Sequence, residues 1–127
     1  MGIRLVTQAL SPQWGHLSET ARLVLIAMCH TALDKPHGTT PARRYFGGHE
    51  QLILTITGQD SRDPDWAGSD QHVAAQRRMK RAMRQLVDSG AVEVITRANG
   101  KQKAVYEVLP RVDELVLPFS PPHHSRA

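Results

Sequence analysis

The chain is short of cysteine, of aromatic residues and of long apolar runs, and each shortage excludes a class of protein. Its 127 residues contain a single cysteine, Cys29, so no intramolecular disulfide can form. A lone cysteine reads as a small buried hydrophobe in a reducing compartment. Aromatic residues make up 5% of the chain, few for the base-stacking platforms of single-stranded RNA binders. The longest apolar run, "LVLIAMC" at 23–29, falls well below the roughly 20 residues a membrane-spanning helix needs. The start, "MGIRLVTQAL", has one charge and no leader-like apolar stretch, and Val6 stands where myristoylation of Gly2 requires Ser or Thr. These features point to a cytoplasmic chain with no membrane partner.

Motifs for metal or catalysis are also lacking. The chain has seven histidines, but no C-x-x-C or H-x-x-x-H pair. Cys29 and His30 are adjacent on a predicted helix and so point in different directions. The acidic stretch "DSRDPDW" lacks the alternating ligand spacing of a calcium loop and reads as a solvated loop, with Trp66 pinning it to the body. There is no nucleophile elbow or phosphate loop. The reading is of a non-enzyme with no metal and no cofactor.

The positive charge is what stands out. Lys and Arg total 16 against 12 acids, for a net charge of +4 and a pI near 9.7. The length suits one domain with its own core. "LSETARLVLIAMCHTALD" predicts a helix capped by Ser18, apolar on nearly every side from 23 to 29 and therefore buried on most faces. Pro36, Gly38 and Pro41 break it. "RYF" suits a short strand. "GGHEQLILTITG" fits a short helix better than a strand. The Asp-rich loop 58–69 leads into "DQHVAAQRRMKRAMRQLVDSG", a helix over 70–89 capped by Ser69 or Asp70 and ended by Gly90. Two β-rich runs then flank Asn99-Gly100, a strong hairpin signal. The tail 111–127 is proline-rich and expected to be partly disordered, although "VDELVLPF" could lie on the body. The segment 1–14 reads as an N-terminal arm and 15–110 as the domain.

Five of the eight residues from 77 to 84 are basic, and no acid occurs between Asp70 and Asp88. At 100° per residue, Lys80, Arg81 and Arg84 lie within about 60° of Arg77, and Arg78 about 100° away. Ala75, Met79, Ala82, Met83 and Leu86 fall on the opposite side. A solvated helix face usually mixes signs and gains from pairs four residues apart; a face of one sign is the footprint of a polyanion binder. The hairpin adds Arg97, Lys101 and Lys103, with no acid from 94 to 106, although lysine also serves to blunt edge strands. Helix, short helix, basic helix and hairpin, in that order, predict a mainly α fold with a small β-hairpin (α+β), a winged helix-turn-helix. In that architecture the third helix enters the major groove and the wing touches the backbone.

The segments "MGIRLVTQAL…LSETARLVLIAMCHTALD", "RRYFGGHEQLILTITG" and "AAQRRMKRAMRQLVDSGAVEVI" resemble winged-helix DNA-binding proteins of phages, plasmids and integrated mobile elements, in an actinobacterial-type branch. The resemblance covers roughly 1–109 and is most specific in "RAMRQLVDSGAVEVI". It implies that Gln76, Arg77, Arg78, Lys80 and Arg81 occupy the groove-facing part of the recognition helix and meet base edges. Met79, Ala82, Met83 and Leu86 match its core side. Arg84, Arg97, Lys101 and Lys103 would meet backbone phosphates. This chain departs from the pattern at Ala75, where the family has a capping Ser or Thr, and in the long acidic loop that replaces a tight turn.

The expectation is therefore a sequence-specific double-stranded DNA-binding protein, nucleoid-associated, with recognition helix 70–89 and wing 92–109. It would act as a transcriptional regulator or a replication or partition accessory of a mobile element. A homodimer is expected, through Ile3 and Leu5 or through "ELVLPF". The alternative is a winged-helix adaptor without DNA binding, meeting a protein partner through loop 58–69, Trp66 or the tail. The tail has little to bury, so a chain ending at Pro118 should bind duplex DNA with unchanged affinity in an anisotropy titration. A large loss would make a binding arm of His123, His124 and Arg126.

Overall fold

The computed structural model describes residues 2–97, 99 and 103–109. The first fourteen residues, expected as an arm, instead carry helix α1 (Ile3–Ala9) and a short 3-10 turn at Pro12–Trp14. They are folded into the core: Leu5 and Ala9 are fully buried and Trp14 nearly so. The capping that makes this short helix possible comes from far along the chain. Asp34 accepts the Arg4 amide on Oδ2 at 3.1 Å and the Leu5 amide on Oδ1 at 2.9 Å, satisfying two of the orphan donors of the first turn. Burial of Leu5 removes it from the expected dimer surface, whereas Ile3 stays 63% exposed.

Helix α2 (Glu19–Thr31) begins where the sequence places it, with Ser18 Oγ accepting the Ala21 amide at 3.1 Å. Its burial is more one-sided than the apolar run suggests. Ala21, Val24, Leu25, Met28 and Cys29 face inward, while Leu23 is 47% exposed. The cause is geometric: α1 packs antiparallel along α2, so Gly2 lies against the carbonyls of Cys29 and Ala32 while Arg22 reaches back to the Leu10 and Ser11 carbonyls. The side bearing Leu23 is left open. At Gly2 a Cβ would run into those two backbone oxygens, so glycine is required there for the close approach.

Strand β1 (Arg44–Tyr45) and helix α3 (Gly48–Thr57) follow. Helix α4 (Asp70–Ser89) is capped by Ser69, not Asp70, and stops at Gly90 in the left-handed conformation at φ 83°. Strands β2 (Val92–Thr96) and β3 (Val105–Val108) complete an antiparallel sheet of order β1-β3-β2. Tyr45 pairs with Tyr106, Val92 with Val108 and Glu93 with Glu107. The chain is thus α+β, with four α-helices and three strands among the described residues. The tight turn expected at Asn99-Gly100 falls largely outside the described residues. Among the described residues the pairing reaches Thr96 and Val105, with an irregularity between Val94 and Thr96. Gly100, Lys101 and the tail 111–127, including "ELVLPF", lie outside the described residues.

The core gathers Leu25 and Met28 of α2, Leu52 and Ile53 of α3, the inner face of α4 and Val92 and Val108 of the sheet. Among the described residues no helix is long and apolar enough to cross a membrane. Burial, with Asp34 adding a smaller repulsion, pushes the Cys29 thiol far above its ordinary value, and only the thiolate is reactive. Native protein should therefore resist a thiol reagent such as DTNB at mildly alkaline pH and react fully in urea. Rapid labelling of the folded chain would show that α1 opens readily from α2.

Candidate nucleic-acid interface

The inner face of α4 is fixed by His72, Ala75, Met79, Ala82, Met83 and Leu86, all buried. That leaves Arg77, Arg78, Lys80, Arg81 and Arg84 exposed. The ion pairs among the described residues join Arg44 to Glu107, Arg62 to Asp60 and His72 to Glu50; none neutralises these five cations. Arg77, Arg81 and Arg84 run along the centre of the outer face. Arg78 and Gln76 sit at its two edges, and each is held there by a neighbouring helix.

At one edge Arg78 donates from Nη2 to Thr20 Oγ1 of α2 at 3.3 Å. The Ser18 amide donates to Gln85 Oε1 at 3.1 Å, tying the start of α2 to the same side of α4. Between them opens a groove of about 600 Å³, lined by Ser18, Thr20, Arg78, Arg81, Arg84 and Asp88 among others. Three guanidinium groups face it against one carboxylate.

At the other edge Gln76 Nε2 donates to Glu50 Oε1 of α3 at 3.2 Å. The other oxygen of Glu50 accepts from the Ser61 hydroxyl and lies 3.5 Å from His72 Nε2. The Gly68 amide donates to His72 Nδ1 at 2.8 Å, so a neutral imidazole carries its hydrogen on Nε2, on the Glu50 side. At 3.5 Å this is electrostatic attraction rather than a well-formed hydrogen bond. Burial raises the Glu50 pKa, but hydrogen bonds from Ser61 and Gln76, together with the attraction of His72, outweigh it and hold the carboxyl below its usual range. The ring of Trp66 packs on that of His72 with centroids 4.7 Å apart. Loop 58–69 is therefore docked on α4, and Trp66, at 8% exposure, is not presented to a partner.

The sheet closes on this second edge. His49 Nε2 lies 3.1 Å from the Tyr106 hydroxyl, and the two rings stack. Burial lowers the His49 pKa, Glu50 opposes this, and the Lys80 charge lowers it further. Lys103, expected free on the wing, donates from Nζ to the Gly47 carbonyl at 3.3 Å and lies over Gly48. Gly48 has φ 77° and a side chain there would strike Lys103. Arg97 is exposed; Lys101 is outside the described residues.

The structure thus brings Arg77, Arg78, Lys80, Arg81 and Arg84 onto one surface of α4, with Gln76 at its rim and Lys103 against Gly47 and Gly48 at the start of α3. Thr20, His49, Glu50 and His72 escape sequence reasoning, because nothing in their spacing marks them; Glu50 and Gln76 are 26 residues apart. Among the described residues no three His, Cys, Asp or Glu side chains gather as a metal site. No family model, curated protein or solved structure matches the chain.

His49 and Glu50 both titrate below their ordinary values of 6.5 and 4.5. A depressed folded pKa gives stability that is complete above the unfolded value and lost as pH falls through the folded one. Acidification should therefore weaken the fold in two steps, His49 first and Glu50 second. Urea unfolding at about pH 7.5, 5.5 and 4 should show the decline. His49→Gln should flatten its upper step; identical pH profiles for variant and wild type would remove His49 from this role.

Proposed function

We propose that the chain is a winged-helix protein that binds double-stranded DNA sequence-specifically, with α4 in the major groove and the β2–β3 hairpin against the backbone. One observation carries this reading. The five cations of α4 form a face that no acid neutralises among the described residues. It projects between two edges locked to α2 and α3, and a helix of this kind fits the major groove. The order helix, strand, helix, helix and paired strands, with β1 on the outer side of β3, agrees with the winged-helix arrangement. The resemblance to proteins of mobile elements favours a regulator of transcription or an accessory of replication or partition. A two-fold dimer on a palindromic site follows from the same logic. On α1 the exposed apolar residues available for it are Ile3 and Leu10.

The edges sort the contacts. Arg77 and Arg81 point away from the core and are free to reach guanine O6 and N7. Arg78 is anchored beside α2, and Arg84 lies two turns beyond Arg77, which suits phosphate. Arg77→Ala and Arg81→Ala should each cost about 1–3 kcal/mol on the selected site and reduce discrimination against scrambled duplex. Arg84→Ala and Lys103→Ala should weaken both duplexes alike and lower the salt slope by about one unit each. Anisotropy titrations at several salt concentrations measure both effects. Unchanged affinity and discrimination in Arg77→Ala and Arg81→Ala would show that α4 is not the reading helix.

A further inference from the structure

We propose that Gln76 is a specificity-determining residue whose amide orientation is set by Glu50, so that it reads DNA through its oxygen and selects a base carrying an exocyclic amino group. The inference rests on the DNA-binding reading above and adds to it the polarity of one contact and the residue that imposes it.

A glutamine side chain is ambiguous by itself. It ends in an acceptor oxygen and a donor nitrogen, and rotation by half a turn exchanges them. A free glutamine can accept from the amino group of adenine or cytosine, or donate to the keto oxygen of guanine or thymine. Gln76 is not free. Its nitrogen faces Glu50 Oε1 at 3.2 Å, and a carboxylate carries no hydrogen to give. Turning the amide over would set two acceptors against each other beside a negative charge. Ser61 and His72 draw the other oxygen of Glu50 the opposite way, which favours this position of the carboxylate, and His72 is held by the Gly68 amide and the Trp66 ring. The orientation is therefore transmitted from the docked loop 58–69, through Glu50, to the rim of α4.

Nε2 keeps a second hydrogen, but it lies beside the Glu50 carboxylate, whose negative charge opposes the approach of a keto oxygen; the group left for a ligand without that opposition is the oxygen. Gln76 Oε1 takes no hydrogen bond among the described residues, and it is not among their buried unpartnered atoms. Its exposed neighbours on α4 are Arg77 and, one turn on, Lys80. In the major groove an acceptor in this place meets the N6 amino group of adenine or the N4 amino group of cytosine. The Glu50 charge behind it works in the same sense, because the major-groove edge of guanine presents only acceptors.

The test is selection of duplexes from a randomised pool by wild type, Gln76→Ala and Glu50→Gln, each first shown to be folded by circular dichroism. The wild-type motif should contain one position where an amino-bearing base is preferred over a keto base by about tenfold or more. Gln76→Ala should erase that preference and leave the other positions as they were. Glu50→Gln offers the amide a partner that can donate as well as accept, so the same position should relax to within about threefold. Replacing the selected base by an analogue lacking only its amino group checks the contact without altering the protein. This should weaken wild type about tenfold and leave Gln76→Ala unaffected. A motif identical in wild type and Gln76→Ala, or an analogue that weakens both equally, overturns the inference while leaving DNA binding intact. If wild type enriches no sequence, the functional reading itself falls and this inference with it.

Discussion

The seam between α2 and α4 governs the rest of the structure. Ala75, Met79, Ala82, Met83 and Leu86 bury the main apolar stripe of α4 against the core, where Ala21, Val24, Leu25 and Met28 contribute from α2. The two buried alanines of α4 keep the backbone close to its neighbours, and the methionines fill the uneven space between. Once this face is buried, helical periodicity leaves the cations no inward direction. Their segregation is a consequence of packing and needs no electrostatic cause.

That arrangement carries a cost. Arg77–Lys80, Arg77–Arg81, Arg78–Arg81, Lys80–Arg84 and Arg81–Arg84 are like-charge pairs three or four residues apart. Each opposes the helix by about 0.2–0.5 kcal/mol. Burying Met79, Met83 and Leu86 returns about 1.5–3 kcal/mol apiece, so the seam holds the charges in place. The unrelieved repulsion is then available to a polyanion, which lowers it on binding. An acid on this face would make the helix more stable alone and less attracted to phosphate.

Much of the fold was legible because it depends on local signals. Ser18 and Ser69 cap their helices, Gly90 ends α4, and the apolar period of α4 gives its buried face directly. Helix α1 was not legible: its cap is Asp34, thirty residues away, and a segment this short is helical only because α2 receives it. The one-sided burial of α2 was hidden for a related reason, since an apolar run does not say which of its sides a neighbour covers. At the candidate interface the cations could be read from spacing, whereas the Glu50 cluster could not. It joins α3, the 58–69 loop and α4 through side chains whose proximity exists only after folding. Trp66 was the one hint, a bulky ring in an acidic loop that needed somewhere to go.

The surface therefore divides into fixed and free parts, and the division has a physical meaning for recognition. Gln76 and Arg78 are pinned by α3 and α2, so much of their conformational freedom is surrendered when the protein folds. Immobilising a long side chain at an interface otherwise costs about 0.5–1.5 kcal/mol at the moment of binding. Arg77 and Arg81 keep that freedom and must give it up on the ligand. They can do so where two parallel hydrogen bonds to one base edge reward a single geometry. In the proposed complex a pinned rim would set where the helix sits and which polarity its edge presents. On the proposed DNA-binding reading the free centre would then discriminate, because only a matching edge offsets the ordering of two arginines. On that reading the acid at Glu50 would strengthen recognition despite lying beside a cationic face, since its charge is spent on orienting an amide.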